Sequence, residues 1–240
     1  MKKNEWDVLS KKVFNVHRSE DEIDPLAADN ILIAWPPIIS LIETHFGNLN
    51  KKSLSALDYG CGTGGFTHKL HSLGFSVMGA DNSEGMLRVA RESLPKDITL
   101  IDSDILPDMK YDLITGVMVF QFVEDVEETL KSLTKHLKKG GLFVFAVFNP
   151  PFVTQCLNAK IFFSDFKSAK NPKAGLVHLG ENVSIPTYIR SANEYDHIIN
   201  KLGLKKVLEI YPPFTEEFLK KYAWDLPASE PEYLILGYEL

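Results

Sequence analysis

Apolar residues recur along the chain with two different spacings, and the alternation between them predicts a series of strands and helices from about residue 53 onward. Uninterrupted apolar runs predict strands at 54–58, 76–81, 98–101, 111–118 and 142–148. Apolar residues three and four apart predict the intervening helices, one of them with a stripe through Val126, Leu130, Leu133 and Leu137. Strands that are apolar throughout, between amphipathic helices, are typical of a parallel sheet covered on both faces.

The chain after residue 190 predicts one more helix and two closing strands. Ser191 and Glu194 have the spacing of a capping box, in which each residue satisfies a backbone group at the start of a helix. Apolar runs at 207–211 and 233–240 then bring the number of predicted strands to seven. The pattern therefore predicts a single doubly wound α/β domain.

Two stretches lie outside this alternation. Asp24-Pro25 predicts the start of a helix that runs to about residue 35, and a second helix over 37–46 stops at Gly47. The stretch 150–190 is too long to be a bare connection in a compact domain, and long insertions of this kind are often functional lids. We expect a helical N-terminal cap (1–52), a core (53–149), a lid insertion (150–190) and a C-terminal helix with closing strands (191–240).

Composition and charge exclude several classes of protein. With 45% hydrophobic and 24% charged residues among 240, the chain resembles an average globular protein and neither a disordered nor a collagen-like one. The net charge of -6 disfavours a nucleic-acid partner, and the longest apolar run, 31–42, is too short to span a membrane. Cys61 and Cys156 form no CxxC pair, so we expect a reducing, cytoplasmic location.

A glycine-rich loop lies where the first strand gives way to a helix. It reads Gly60-Cys61-Gly62-Thr63-Gly64, and Asp81 ends the next strand 21 residues after Gly60. Because Gly60, Gly62 and Gly64 lack a Cβ atom, a ligand could touch the backbone of the loop. The start of the following helix offers unpaired N–H groups. The carboxylate of Asp81 suits the hydroxyl groups of a ribose. The pattern predicts a nucleoside-containing ligand; the alternative is a loop whose glycines serve only a tight turn.

Asp58 discriminates between nucleoside ligands, because we expect its carboxylate to face the same cleft. Beside a dinucleotide, the carboxylate would face a diphosphate at about 5 Å and be repelled by roughly 3 kcal/mol at an effective dielectric near 20. S-adenosylmethionine would instead bring an ammonium and a sulfonium to that position, where the carboxylate attracts them. The alternative is that Asp58 acts as a helix-dipole partner or a brace of the loop.

At these residues the sequence resembles the class I S-adenosylmethionine-dependent methyltransferases, over roughly residues 53–203. The run Asp58-Tyr59-Gly60-Cys61-Gly62-Thr63-Gly64 is similar to their first motif, and Gly79-Ala80-Asp81-Asn82-Ser83 to their second. Leu137-Lys138-Lys139-Gly140-Gly141 is similar to their Lys-Pro-Gly-Gly turn, with lysine in place of proline. The resemblance implies a Rossmann-like, mostly parallel sheet with an antiparallel last strand inserted between the fifth and sixth strands.

The resemblance also implies which residues hold the cofactor. Asp81 would take the ribose diol, Asp104 the adenine amino group beside Ile105, and Val117 and Met118 the methionyl part. The complete implied set is Asp58, Gly60, Cys61, Gly62, Asp81, Asn82, Met86, Asp104, Ile105, Val117 and Met118. Residues 53–149 would thus be the cofactor-binding core and 150–190 the substrate lid. Met86 is an equally good candidate for a core residue. Asp104 has the alternative role of a carboxylate that caps a helix or braces a loop.

Asn149-Pro150-Pro151-Phe152 resembles the tetrapeptide with which nucleic-acid adenine-amino methyltransferases hold a planar amide or amine. In those enzymes the tetrapeptide follows the fourth strand, whereas here it follows the fifth. Together with the net charge of -6, this position argues against a nucleic-acid substrate. We interpret the two prolines as the end of the fifth strand at the mouth of the site.

The expected reaction is methyl transfer from S-adenosylmethionine to an O, N or C atom of a small-molecule acceptor, giving S-adenosylhomocysteine. Positioning supplies most of the catalysis of such a displacement, and His178 and Tyr188 in the insertion are the candidate bases. His68 and His71 lack an evident third ligand, so no metal site is predicted. Two alternatives stay open: a non-catalytic cofactor-binding module, and a nicotinamide-dependent reductase.

Overall fold

A computed structural model describes residues 3–10, 27–47, 49–167, 172–179, 183–222 and 225–240. In these ranges the chain forms two sheets. The strands are β1 (Ser55–Tyr59), β2 (Ser76–Asp81), β3 (Thr99–Asp102), β4 (Tyr111–Val117), β5 (Leu137–Phe148), β6 (Phe163–Lys167), β7 (Lys173–His178), β8 (Ser184–Ile189), β9 (Lys205–Ile210) and β10 (Tyr233–Glu239). The helices are α1 (Lys3–Leu9), α2 (Trp35–Phe46), α3 (Gly65–Ser72), α4 (Glu84–Ser93), α5 (Val126–Thr134), α6 (Pro150–Asn158), α7 (Ala192–Lys201) and α8 (Glu216–Lys221).

The larger sheet has seven strands in the order β3-β2-β1-β4-β5-β10-β9. The first five strands run parallel, and β10 pairs antiparallel with both β5 and β9. This arrangement confirms the expected doubly wound, mostly parallel α/β sheet with its last strand inserted between the fifth and sixth. The carboxyl ends of β1, β2 and β4 therefore share one edge of the sheet, where ligands of such folds bind.

Two hydrophobic clusters hold helices on the two faces of this sheet. Ile38 of α2 and Leu70 of α3 pack against Val144 on one face. On the other face, α5 and α7 pack against residues such as Phe143. The apolar character of β5 follows from this double coverage, since it is buried from Leu142 to Phe148.

The helix before β5 is shorter than its apolar stripe predicts. It ends at Thr134, and Leu137 belongs to β5 rather than to the helix. The backbone explains the change, because the His136 carbonyl accepts the N–H of Tyr111 at 2.7 Å and so joins the chain to β4. Leu137 then pairs with Tyr111 and stays buried in the same cluster as Leu133.

Residues 28–46 of the leader form one continuous helical segment, where the sequence predicts two helices. A π-helical turn over Asn30–Ala34 runs directly into α2, and Pro36 and Pro37 occupy its first turn. Proline has no N–H to donate, so the first turn of a helix is the position where it costs least. The expected helix start at Asp24-Pro25 lies outside the described residues.

The insertion contains secondary structure of its own. After α6, the strands β6, β7 and β8 form a three-stranded antiparallel sheet in that order. One buried cluster joins Val177 and Ile185 of this sheet, Phe152 of α6, Leu9 of α1 and Phe148 at the carboxyl end of β5. The leader and the insertion thus pack together beside the ligand-binding edge.

Candidate functional site

The glycine loop connects β1 to α3 and is tied to the end of β2. The N–H groups of Gly60 and Cys61 both donate to the Ala80 carbonyl, at 2.7 and 3.0 Å, and Gly64 N–H donates to the Cys61 carbonyl at 2.9 Å. Gly60, Gly62 and Gly64 all have positive φ, which L-residues rarely adopt. The loop is therefore a fixed backbone turn at the carboxyl edge of the sheet.

The three glycines serve different purposes. A Cβ atom on Gly60 would lie 2.3 Å from Cγ2 of Val119, and one on Gly64 would lie 2.5 Å from Cδ1 of Leu94. No heavy atom lies within 4 Å of the position for a Cβ on Gly62. The space beside the Cα atoms of Gly60 and Gly64 is thus filled by protein side chains, which explains the need for glycine at both positions, whereas Gly62 faces open space. A ligand contact at any of the three glycines stays a prediction.

Asp58 lies at the end of β1 with its side chain 2% exposed. Its two carboxylate oxygens accept hydrogen bonds from Thr67 Oγ1 at 2.7 Å and Thr115 Oγ1 at 2.8 Å. The carboxylate is thus buried rather than open to the cleft, which corrects the expected orientation and agrees with the alternative of a loop brace. Its contact with a cofactor stays a prediction.

Burial raises the pKa of Asp58 to about 6, although the two threonine hydroxyls oppose the shift. Because the folded state holds this proton more tightly than the unfolded state, stability present at low pH is lost as the pH rises through about 6. We expect the free energy of unfolding to fall by roughly 1 to 2 kcal/mol between about pH 5 and 7.5 from this group alone.

Urea unfolding of the wild type and Asp58→Asn across that pH range measures this contribution, since the asparagine cannot titrate. Glu92→Gln is the matched control, because Glu92 is an exposed carboxylate on α4. Equal slopes of stability against pH in all three proteins would contradict the prediction.

Asp81 at the end of β2 also braces the loop. Its Oδ2 accepts the Gly62 N–H at 2.9 Å and its Oδ1 accepts the Ser83 N–H at 2.9 Å. Burial raises its pKa, against the effect of these backbone hydrogen bonds. Each oxygen keeps a further lone pair, so the carboxylate can accept a ligand hydroxyl while it positions Gly62. Asn82 follows it, half-buried, at the same edge.

Asp7 of α1 is a residue of this edge that the sequence pattern missed. Its Oδ1 accepts hydrogen bonds from Ser83 Oγ at 2.6 Å and from the Gly85 N–H at 2.8 Å. Ser83 in turn caps α4 by accepting the Met86 N–H. Asp7 therefore adds a carboxylate to the positive end of α4 and anchors the leader there.

The remaining cofactor candidates fall into two groups. Asp104 and Ile105 follow β3, and both are exposed, Ile105 by 75%. Cys61 and Met86 are buried, and Met86 packs in the cluster of Leu9 and Phe148, as its alternative core role predicts. All four assignments stay predictions.

The end of β4 carries Val117 and Met118, both half-buried. Met118 has a φ of 57°, and its N–H donates to the Ala146 carbonyl at 2.9 Å. Gln121, which the sequence analysis did not single out, is 1% exposed and places Nε2 3.7 Å from the Met118 sulfur. Among the residues that the structure describes, its Oε1 has no hydrogen-bond partner, so a polar acceptor lies beside the predicted methionyl position.

The two candidate bases lie on the small sheet. His178 bonds through Nδ1 to Ser184 Oγ at 2.8 Å and through Nε2 to Ser164 Oγ at 3.0 Å. Burial, and after it Glu124, raises the pKa of Tyr188. Both ring nitrogens of His178 thus have partners and Tyr188 is a weaker acid than free tyrosine, so a base role for either stays a prediction that needs a local rearrangement.

The described ranges contain neither a cluster of metal ligands nor a helix that could span a membrane. No group of three or more His, Cys, Asp or Glu side chains there is arranged to hold a metal ion. His71, one of the two histidines for which the sequence predicts no metal site, forms a hydrogen bond with Asp97 at 3.0 Å. In the same part of the chain, every helix is too short or too polar to cross a membrane.

Comparison with known proteins identifies a family over the central part of the chain. Residues 57–145 match the family model described as a methyltransferase domain. The malonyl-[acyl-carrier protein] O-methyltransferase of Priestia megaterium is 32% identical over 146 residues, which is 58% of this chain and 51% of that protein. An uncharacterized methyltransferase of Bacillus cereus is 33% identical over 103 residues, 41% of this chain and 49% of that one.

The chain thus spans about half the length of the curated relatives it matches. Solved structures share the fold at lower identity. An S-adenosylmethionine-dependent methyltransferase from Mesorhizobium loti has a TM-score of 0.63 at 21% identity, covering 86% of this chain and 97% of that one. The magnesium protoporphyrin IX methyltransferase of Synechocystis has a TM-score of 0.60 at 13% identity, covering 98% and 96%.

Proposed function

Because residues 57–145 match the model of a methyltransferase domain, we propose that this protein is a class I S-adenosylmethionine-dependent methyltransferase. It would transfer the methyl group of S-adenosylmethionine to a small-molecule acceptor. The observation that carries the proposal is the loop after β1, in which Gly62 alone faces open space and is held there by Asp81. S-adenosylhomocysteine is the second product. When bound, S-adenosylmethionine supplies an electrophilic methyl group on a sulfonium.

The residues at the edge fit this cofactor chemically. Asp81 has acceptor capacity left for ribose hydroxyls, and Gly62 lets the nucleoside approach the backbone. The exposed Ile105 offers an apolar contact for adenine, with Asp104 as the acceptor for its amino group. Val117 and Met118 would border the methionyl part. The buried Asp58 carboxylate, which is bonded to Thr67 and Thr115, would act on the ammonium and sulfonium through its charge and not by direct contact.

Catalysis then consists mainly of alignment. An acceptor O, N or C atom attacks the methyl carbon in line with the breaking C–S bond, and the acceptor proton leaves to a base or to water. Holding two reactants in this geometry is worth on the order of 7 to 11 kcal/mol. The leader and the insertion, which share one apolar cluster, would exclude water from the reacting atoms.

A positioned base would add about 10² to 10⁴ in rate. Because His178 donates and accepts within its own sheet and the pKa of Tyr188 is raised, we expect His178→Ala and Tyr188→Phe each to lower kcat by less than about tenfold. Single-turnover rates under saturating cofactor measure this. A loss of about a hundredfold or more in either variant would identify that side chain as the base.

The proposed reaction is tested directly with methyl-labelled S-adenosylmethionine and a metabolite extract. We expect label in at least one small molecule, with S-adenosylhomocysteine formed in equal amount. Calorimetry compares the affinities of the protein for S-adenosylhomocysteine and NADH. We expect S-adenosylhomocysteine to bind more tightly, and tighter binding of NADH would favour a reductase. Cofactor binding without any transferred label would mean a non-catalytic module.

The acceptor and the compartment follow from the same features. The net charge of -6 disfavours nucleic acid, and the malonyl-[acyl-carrier protein] O-methyltransferase relative favours a small acyl or similar acceptor. Cys61 and Cys156 are buried free thiols, and burial raises the pKa of Cys156 to about 12. Such thiols suit a reducing compartment, the cytoplasm.

A further inference from the structure

The segment that follows β4, residues 118–124, packs against the glycine loop. Its Val119 side chain fills the space beside the Cα atom of Gly60, where an added Cβ would lie 2.3 Å from Cγ2 of the valine. The ring of Phe120 stacks on the ring of Tyr59, with centroids 6.1 Å apart and an angle of 10° between the planes. The segment therefore forms a wall of the cleft beside the loop, and it begins with a residue that is predicted to border the methionyl part.

Two buried side chains at the end of the insertion donate hydrogen bonds to the backbone of this segment. Thr187 of β8 is fully buried, and its Oγ1 donates to the Gln121 carbonyl at 3.2 Å. Arg190, which directly follows β8, is 5% exposed. Its Nη2 donates to the Glu124 carbonyl at 2.5 Å and its Nη1 to the Phe120 carbonyl at 3.4 Å. Three carbonyls of the segment are thus bonded to one edge of the small sheet.

The guanidinium of Arg190 is itself held in place. Its Cζ lies 5.7 Å from the centroid of the Tyr188 ring, at the distance of a cation–π contact. The next residue, Ser191, caps α7 in a capping box with Glu194, which fixes the backbone beside the arginine. A positive charge is favoured at the end of a helical turn, and Phe120–Phe122 is such a turn. Arg190 is therefore a fixed donor to the segment and not a flexible surface side chain.

The first residue of the segment has a backbone conformation that needs support. Met118 has a φ of 57°, which residues other than glycine rarely adopt and which persists only where the surrounding structure enforces it. The hydrogen bond from its N–H to the Ala146 carbonyl fixes the chain on one side. The hydrogen bonds from Thr187 and Arg190 fix the chain that follows. The backbone at the predicted methionyl position thus depends on contacts from the insertion.

We propose that Arg190 and Thr187 are positioning residues for the cofactor, which hold residues 118–124 in the conformation that borders the methionyl part of S-adenosylmethionine. Both side chains are buried, so they act through the backbone of the segment and not by contact with the cofactor. The identity of the ligand rests on the proposed function. The insertion then has a role besides covering the acceptor, because part of the affinity for the cofactor depends on β8.

Calorimetry with two ligands tests the proposal on the full chain. S-adenosylhomocysteine carries the amino-acid part, whereas 5′-methylthioadenosine has the same nucleoside and sulfur without it. We expect Thr187→Val to weaken S-adenosylhomocysteine binding about fivefold and Arg190→Met about twentyfold, since the arginine makes the charged hydrogen bonds. Both variants should bind 5′-methylthioadenosine within about twofold of the wild type. Thr187→Ser keeps the hydroxyl group and should restore the affinity for S-adenosylhomocysteine.

Tyr238→Phe is the matched control. The Tyr238 hydroxyl donates to Asp196 of α7 at 2.8 Å, and Tyr238 pairs with Phe143, toward the amino end of β5. The substitution therefore removes a hydrogen bond from the helix that Arg190 precedes, away from the ligand-binding edge. We expect it to lower stability and to leave both affinities unchanged. Urea unfolding checks that each variant is folded, and the comparison of Val with Ser at Thr187 carries the test if Arg190→Met is not.

The positioning role and the proposed function fail separately. Wild-type affinity for S-adenosylhomocysteine in Thr187→Val and in folded Arg190→Met would overturn the positioning role, while labelled methyl transfer by the wild type would still support the function. Equal losses for both ligands would also overturn it, because the effect would not be confined to the methionyl part. If the variants lose affinity as expected but the wild type labels no compound in the extract, methyl transfer fails and the positioning role stands.

Discussion

Gly62→Ala is expected to weaken S-adenosylhomocysteine binding by on the order of a hundredfold while the protein stays folded. The new methyl group would occupy the open space that faces the ligand, and the φ of +56° costs an L-residue about 1 to 2 kcal/mol. Gly60→Ala has a different outcome. Both methyl groups of Val119 lie within 2.7 Å of the new Cβ, so the free energy of unfolding falls by about 2 to 5 kcal/mol.

Gly140→Ala is the matched control for Gly62→Ala. Gly140 has a φ of +72° and, like Gly62, no heavy atom within 4 Å of the added Cβ, but it lies at the opposite end of the sheet near the start of β5. Calorimetry with S-adenosylhomocysteine and urea unfolding should show equal losses of stability and a loss of affinity in Gly62→Ala alone. Wild-type affinity in Gly62→Ala would remove the glycine loop from the binding site.

Asp81→Asn is expected to weaken S-adenosylhomocysteine binding by about ten- to a hundredfold, equivalent to about 1 to 3 kcal/mol. The substitution removes a charged acceptor for ribose hydroxyls and also weakens the hydrogen bond that positions Gly62. Isothermal calorimetry measures the change. Asp97→Asn, at an exposed carboxylate in the connection before β3, is the control and should bind as the wild type does.

A ligand lacking the ribose hydroxyls separates the two contributions. If Asp81 binds the ribose, the affinity difference between wild type and Asp81→Asn shrinks with 2′,3′-dideoxy S-adenosylhomocysteine. The part of the difference that persists with the dideoxy ligand measures the effect of Asp81 on the Gly62 loop. An unchanged dissociation constant for S-adenosylhomocysteine itself would exclude Asp81 from the site.

The main sheet could be predicted from the sequence because its central strands are apolar and its helices are bounded by strong signals, such as Gly74 after α3 and the capping residue Ser83 before α4. The small sheet could not. Its strand β8 contains Pro186, which is exposed, and β7 contains Gly175, where any Cβ would overlap the ring of Phe166. Proline and glycine both lower strand propensity. Here Pro186 is tolerated because it is exposed on an outer strand of the small sheet, and Gly175 leaves room for the ring of Phe166.

The position of the candidate residues at one edge of the sheet could be predicted, but not the direction of their side chains. The spacing of Asp58, Gly60 and Asp81 identifies the edge of the sheet, since it reflects the local chain path. The burial of the Asp58 carboxylate depends on Thr115, 57 residues away, and the role of Gly60 depends on Val119. The contact of Asp7 with Ser83 spans 76 residues. Contacts this distant leave no periodic trace in the sequence.

The hydrogen bonds of Asp7 couple the position of α1 to the segment that follows β2, where the ribose of a nucleoside ligand is expected to bind. Asp7 accepts hydrogen bonds from Ser83 and Gly85, which lie two and four residues after Asp81, and Leu9 belongs to the same hydrophobic cluster as Met86. A ligand that orders the segment after β2 must also favour the docked leader, and a docked leader must raise the affinity for that ligand by the same factor. Ligand binding after β2 and docking of α1 are consequently coupled equilibria, and each favours the other.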